Sequence, residues 1–114
     1  MIENRYGKIY HLVIDGDRVC REKNIMSQSQ ERRERAKIAC KTIELLLEQA
    51  KTNAGLSERL IVTNSRDALK AIKQIQPGSK VILYGGYWGY TLSQVERQLV
   101  LAGITTQLHP LGYI

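Results

Sequence analysis

Apolar residues along this chain fall into two spacings. Short apolar segments at Ile9–Ile14, Leu60-Ile61-Val62 and Val81-Ile82-Leu83 alternate with longer stretches whose apolar positions recur every three or four residues. The first spacing predicts strands and the second predicts helices that bury one face. From Ser29 to Thr52, Ala36, Ala39, Ile43, Leu46 and Ala50 mark such a face, and Asn53-Ala54-Gly55 supplies a stop, since glycine tolerates the left-handed helix-closing conformation.

Beyond Leu60-Ile61-Val62, read as a buried strand, Asn64 or Ser65 is placed to cap a helix with Ala68, Leu69, Ile72 and Ile75 inward, ended by Pro77-Gly78. Lys80–Tyr84 is the next strand, apolar throughout its centre as expected when helices cover both sheet faces. Thr91 and Gln94 have capping-box spacing ahead of an inward stripe of Leu92, Val95, Leu99 and Ala102, with Gly103 as terminator and Ile104–Leu108 as a last strand. This alternation with short connections predicts one α/β domain over residues 1–114, three-layered, with a mainly parallel sheet of about four strands. After the turn at Asp15-Gly16-Asp17, Arg18–Arg21 either returns as the second arm of an N-terminal hairpin or leaves the sheet altogether. There is no internal repeat or low-complexity tract.

A chain of 114 residues, 43% hydrophobic and 25% charged, has the composition of a globular domain with a single core. Its net charge of +6 suits anionic partners: nucleic acid, nucleotides or an acidic protein face. The excess lies between Arg18 and Lys41, through Arg21, Lys23, Arg32, Arg33, Arg35 and Lys37, with Glu22, Glu31 and Glu34 interspersed as on a solvated helix face. Cys20 and Cys40 have neither CxxC spacing nor a histidine cluster, so reduced structural thiols in a cytoplasmic protein are expected, without a zinc site. No segment approaches the roughly 20 apolar residues of a membrane span, and the first residues lack a signal-peptide pattern. Neither export nor membrane insertion is expected.

The candidate chemistry sits where a strand empties into Tyr84-Gly85-Gly86-Tyr87-Trp88-Gly89-Tyr90 just before a helix opens at Thr91. In open α/β sheets such a turn can approach phosphate with backbone N–H groups, helped by the positive helix end. Parallel strands would bring Asp15 and Asp17, then Asn64, Ser65, Arg66 and Asp67, to the same edge. The expected ligand-lining residues are therefore Gly85, Gly86, Tyr87, Trp88, Gly89, Asn64, Ser65 and Arg66, with Tyr87 and Trp88 stacking on a base or ring. Alternatively Gly85-Gly86 merely turns the chain, and Tyr87, Trp88 and Tyr90 form a subunit contact in a homo-oligomer. Arg32, Arg33, Arg35 and Lys37 are the expected contacts to a nucleic-acid backbone. Of the two imidazoles, His11 reads as a strand residue and His109, before Pro110, as a strand cap, and neither cysteine has the surroundings of a nucleophile.

Residues Arg66 through Tyr84-Gly85-Gly86, Thr91-Leu92 and Leu101-Ala102-Gly103-Ile104 resemble the lysine-decarboxylase-like LOG group over less than half the chain. That family binds nucleotides through a proline-glycine-glycine-x-glycine-threonine-x-x-glutamate motif. Tyr84 stands in place of its proline, two residues are added around Gly89, and Gln94 occupies the position of its catalytic glutamate. The resemblance implies a nucleotide-type ligand without the family's glycosidic hydrolysis. His11–Asp17 followed by Val62–Asp67 is similar to PIN and NYN ribonuclease domains, whose carboxylates at strand ends hold divalent metal; that likeness implies a magnesium- or manganese-dependent nuclease using Asp15, Asp17 and Asp67, with Asn64 where an acid is expected. The expectation taken forward is a binding module for nucleic acid or a nucleotide, with no catalytic residue and no cofactor. The metal-dependent nuclease and the homo-oligomeric interaction protein are its alternatives.

Overall fold

A computed structural model describes residues 8–86 and 91–114. Strands β1 (Ile9–Ile14), β2 (Leu60–Thr63), β3 (Lys80–Gly85) and β4 (Thr105–Tyr113) form one sheet in the order β2-β1-β3-β4. Every neighbouring pair is parallel, so the C-terminal ends of all four strands share one rim. The expected α/β architecture with a parallel sheet is therefore present. The order also creates a switch point, because the chain passes from β1 outward to β2 and then returns across β1 to β3.

Alternation along the strands divides the core between two faces. Leu12, Ile14, Val81 and Leu83 pack with α4 (Ala68–Ile72) and α5 (Ser93–Leu101), whereas Val13 and Tyr84 pack with α1 (Gly16–Glu22) and α2 (Gln30–Thr52). Leu12, Ile14, Leu83, Leu92 and Leu99 are each under 2% exposed, and burying such a side chain contributes about 1.5–3 kcal/mol.

Helix α2 follows its sequence pattern closely. Ser29 caps it, its Oγ accepting the Arg32 N–H at 3.1 Å, and Ala36, Ala39, Ile43, Leu46 and Ala50 are buried. It ends differently from expectation. Asn53 takes an extended backbone, and its Oδ1 accepts the Leu56 N–H at 3.0 Å to start α3 (Ala54–Glu58), so Gly55 lies within a helix and is not the terminator. At the end of α5, Gly103 does act as expected: with φ 79° it lets the Ile104 N–H reach Leu99 O and its own N–H reach Val100 O, both at 3.0 Å.

Other expectations are corrected. Of the two courses expected for Arg18–Arg21, the chain takes the one that leaves the sheet, because Asp15, at φ 55° and ψ 42°, turns it into α1. Strand β2 is an edge strand, which leaves Val62 59% exposed where a buried strand was expected, and Leu69 lies outside the apolar face of α4. Helix α5 starts at Ser93 after a wider turn at residues 91–92, and no side chain caps its N-terminus, so the Thr91–Gln94 box does not form. β4 runs past Leu108: between the pairs Leu83–Leu108 and Gly85–Tyr113, the single residue Tyr84 faces His109, Pro110, Leu111 and Gly112 in a bulge.

The cysteines are also corrected. Cys20 of α1 and Cys40 of α2 are joined in a disulfide across a Cα–Cα distance of 4.8 Å. Spacing along the sequence did not show this pairing, which arises because a helix at Gly16–Glu22 lays Cys20 against α2. Among the described residues, no helix is long and apolar enough to cross a membrane.

Candidate functional site

The rim at the strand ends is organised around Asp15. Its backbone N–H donates to Thr63 O at 3.0 Å and its carbonyl accepts the Val19 N–H at 3.1 Å, joining β1 to the end of β2 and to the first turn of α1. Asp15 is 7% exposed; its Oδ1 accepts the Ser65 N–H at 3.2 Å, and its Oδ2 is buried with no hydrogen-bond partner among the described residues. A non-glycine residue in the left-handed region is uncommon and costs about 1–2 kcal/mol. An acceptor oxygen stranded in the interior costs about 1–3 kcal/mol more. Both costs fall on one residue at the switch point between β1 and β3, where open α/β sheets take ligands.

Asn64 and Ser65 line the same rim. The Asn64 Oδ1 accepts the Asp67 N–H at 2.8 Å, which shapes the turn that presents the Ser65 N–H to Asp15. Ser65 also borders a cavity of about 340 Å³ with Thr91, Gln94 and Arg97, between α4 and α5. Arg66 is exposed and does not line it.

The glycines have a different role from the one expected. Gly85, at φ 125°, lies so close to β1 that a Cβ there would sit 1.9 Å from Ile14 O. The Gly86 N–H donates to that same oxygen at 3.3 Å, and a Cβ on Gly86 would meet Ile114 at 3.2 Å. Gly85-Gly86 thus seats the end of β3 against β1, and the Gly86 N–H is engaged within the protein and not held out to a phosphate. Tyr87, Trp88, Gly89 and Tyr90, expected to stack on a ligand or on a neighbouring subunit, lie outside the described residues.

The four residues of α2 expected to contact a nucleic-acid backbone separate into two pairs. Arg32 holds the buried Glu22 carboxylate, with Nε 2.7 Å from Oε1, and Arg35 lies 4.6 Å over the Tyr113 ring while donating to Tyr113 O at 3.4 Å. These two brace α2 against α1 and β4. Arg33 and Lys37 instead line a cavity of about 420 Å³ with Lys23, Asn24, Gln30 and Glu34. Arg33 donates from Nη1 to Met26 Sδ at 3.3 Å, but its Nε is a buried donor with no acceptor among the described residues. Lys23 and Asn24 were not singled out in the sequence as ligand residues. The charge run included Lys23, but its position became meaningful only once α1 was a helix ending beside α2.

Asp15, Asp17 and Asp67 do not gather as a metal site would require. Asp17 is 81% exposed at its side chain and lies 3.9 Å from Arg21, one turn along α1. Among the described residues, the cluster of three metal-ligating side chains is Cys20, Cys40 and Glu44, all ligand atoms within 4.8 Å of one another, and the two sulfurs there are bonded to each other.

On the α2 face of the sheet, His11 Nδ1 is 2.8 Å from the Tyr84 hydroxyl, and the Tyr84 ring stacks on His109 with centroids 5.1 Å apart. His109 Nδ1 accepts the Leu111 N–H at 3.2 Å, so it packs within the β4 bulge and does not cap the strand. Burial first, then Arg59 and His109, holds His11 below its ordinary pKa, and burial pushes the Tyr84 phenol above its own. Comparison with protein-family models, with curated proteins and with solved structures finds no match to this chain.

Proposed function

We propose that this chain is a binding module for a nucleotide-type ligand, free or as part of a nucleic acid, held at the strand-end rim. The observation that carries the proposal is the buried, unpartnered Oδ2 of Asp15 in a left-handed backbone at the switch point. A carboxylate oxygen accepts hydrogen bonds only, so the ligand group it suits is a donor such as a sugar hydroxyl or an exocyclic amine. Phosphate is the complement of the basic cavity formed by Lys23, Arg33 and Lys37. The seven residues of α1 separate Asp15 from Lys23 by about 10 Å of helix, a span that a nucleoside diphosphate or a dinucleotide bridges.

Binding without turnover is the expected behaviour, because the carboxylates of the nuclease alternative are not clustered. The cytoplasmic location expected from free thiols loses that support, since disulfides persist mainly in oxidising compartments.

The test is calorimetric titration of the full chain with adenosine and guanosine phosphates and with short single-stranded RNA and DNA, from low to high salt. Arg33→Gln and Lys37→Gln should each weaken binding and flatten the salt dependence, whereas Asp15→Asn should weaken it without changing that dependence. No binding of any of these ligands at the lowest salt would overturn the proposal.

A further inference from the structure

The two sulfurs of the Cys20–Cys40 bond have different surroundings. Cys40 lies on the inner face of α2 and is 1% exposed, whereas Cys20 on α1 is partly open to solvent. Lys23, one helical turn beyond Cys20, brings its Nζ to 3.8 Å from the Cys40 sulfur. Glu44, one turn beyond Cys40, places a carboxylate oxygen within 4.8 Å of both sulfurs. These charges act in opposite directions on a departing thiolate: the ammonium stabilises it and the carboxylate opposes it. The ammonium, 3.8 Å from Cys40, belongs to a partly buried side chain, whereas the carboxylate belongs to an exposed side chain screened by water.

Disulfide exchange proceeds by attack of a thiolate on one sulfur while the other departs, and its rate rises with access to the first and with stabilisation of the second. We propose that Cys20–Cys40 is an exchangeable disulfide with a fixed direction, in which a low-molecular-weight thiolate adds to Cys20 and Cys40 departs. The attacking sulfur's electron pair forms the new S–S bond to Cys20 Sγ. The old bond breaks, and its pair goes to Cys40 Sγ as a thiolate beside the Lys23 ammonium. A second thiolate attacking the outer sulfur of the mixed disulfide releases a small-molecule disulfide and leaves Cys20 as a thiolate. Two external thiols are thereby oxidised to one disulfide while the protein bond is reduced. Cys20 is thus a site of S-thiolation, and Cys40 is its resolving partner: attack by the Cys40 thiolate on the mixed disulfide reverses the first step.

The bond also joins the helix that begins at Asp15 to the helix carrying Arg33 and Lys37, so exchange releases a covalent tie between the elements that carry the rim carboxylate and the basic cavity.

The experiment treats the air-oxidised full chain with reduced glutathione for short times, quenches with acid, alkylates free thiols and maps both cysteines by peptide mass spectrometry. Glutathione on Cys20 with the alkyl group on Cys40 is the expected result. Glutathione on Cys40, equal labelling of the two, or an oxidised chain with no Cys20–Cys40 bond would each overturn the proposal. Lys23→Met should slow the exchange several-fold and Glu44→Gln should accelerate it, with far-ultraviolet circular dichroism reporting that both variants remain folded. Equal rates in wild type and Lys23→Met would remove the directing role of the ammonium, and with it the proposal. Should Lys23→Met fail to fold, the rate in Glu44→Gln decides, since no acceleration there contradicts the charge argument.

Discussion

The backbone N–H of Ser65 donates to Oδ1 of Asp15 at 3.2 Å, and the other carboxylate oxygen is buried without a partner among the described residues. One end of the carboxylate therefore serves the fold, while the other is a standing cost. In Asp15→Asn, the amide oxygen retains the Ser65 contact, asparagine tolerates the left-handed backbone, and the buried charge is gone. The variant should be more stable than wild type by about 1 kcal/mol while binding the ligand more weakly, the trade expected when strain is kept for function. Urea denaturation of both proteins measures it, and a destabilised Asp15→Asn would contradict this account of the site.

Gly85 and Gly103 both have positive φ, but only Gly85 is also crowded. A Cβ at Gly85 would be 1.9 Å from Ile14 O, whereas a Cβ at Gly103 would meet nothing within 4 Å. Gly103→Ala should therefore cost only the left-handed backbone term, about 1–2 kcal/mol. Gly85→Ala must also displace β1 from β3 and should cost more than about 3 kcal/mol. Comparable thermal shifts for the two variants would show that the close approach of β3 to β1 is not needed.

Arg32 and Arg33 are neighbours with opposite expected phenotypes. Arg32→Met removes the 2.7 Å partner of a glutamate whose side chain is only 4% exposed, so it should destabilise by about 2 kcal/mol, after allowance for the 39% exposure of the arginine. Arg33→Met should leave stability within about 1 kcal/mol of wild type, because its Nε has no acceptor among the described residues and its Nη1 loses only a contact with the exposed Met26, and it should weaken phosphate binding. Paired denaturation and titration experiments distinguish the two, and an exchange of phenotypes would contradict the division of α2 into bracing and ligand-facing residues.

The pH dependence has a sign fixed by His11. Its pKa in the folded chain is lowered from the ordinary 6.5, first by burial and then by Arg59 and His109. Between 6.5 and that lower value the unfolded chain binds a proton that the folded chain does not, so stability falls as the solution is acidified through this window. The contribution is fully present above 6.5. His11→Gln keeps a polar side chain near the Tyr84 hydroxyl and should flatten the slope. Urea midpoints across the window check this, and an unchanged slope would assign the acid sensitivity to another group.

Periodicity made the elements legible where one face alone decides burial, as in α2 and in α5 with its Gly103 ending. Parallel pairing was legible from alternating strands and helices, so the gathering of Asp15, Ser65 and Gly86 on one rim was too. Non-local geometry was not. The left-handed turn at Asp15 converts Arg18–Arg21 from a possible strand to a helix, and that change creates both the Cys20–Cys40 bond and the Lys23 edge of the basic cavity. Likewise, Gly85-Gly86 looked suited to cradling phosphate, but close contact between β3 and β1 accounts for its glycines, a contact between segments about seventy residues apart.

The bulge in β4 bears on how the molecule avoids unwanted self-association. Among the described residues, β4 is one of the two edge strands of the sheet, and a flat open edge invites another chain to add a strand. With four residues facing one, and with Pro110 among them lacking a backbone donor, the ladder is interrupted near its C-terminal end. The opposite border, β2, offers only four residues. Neither side gives a long regular template, so the sheet is guarded against fibrous growth by its own irregularity.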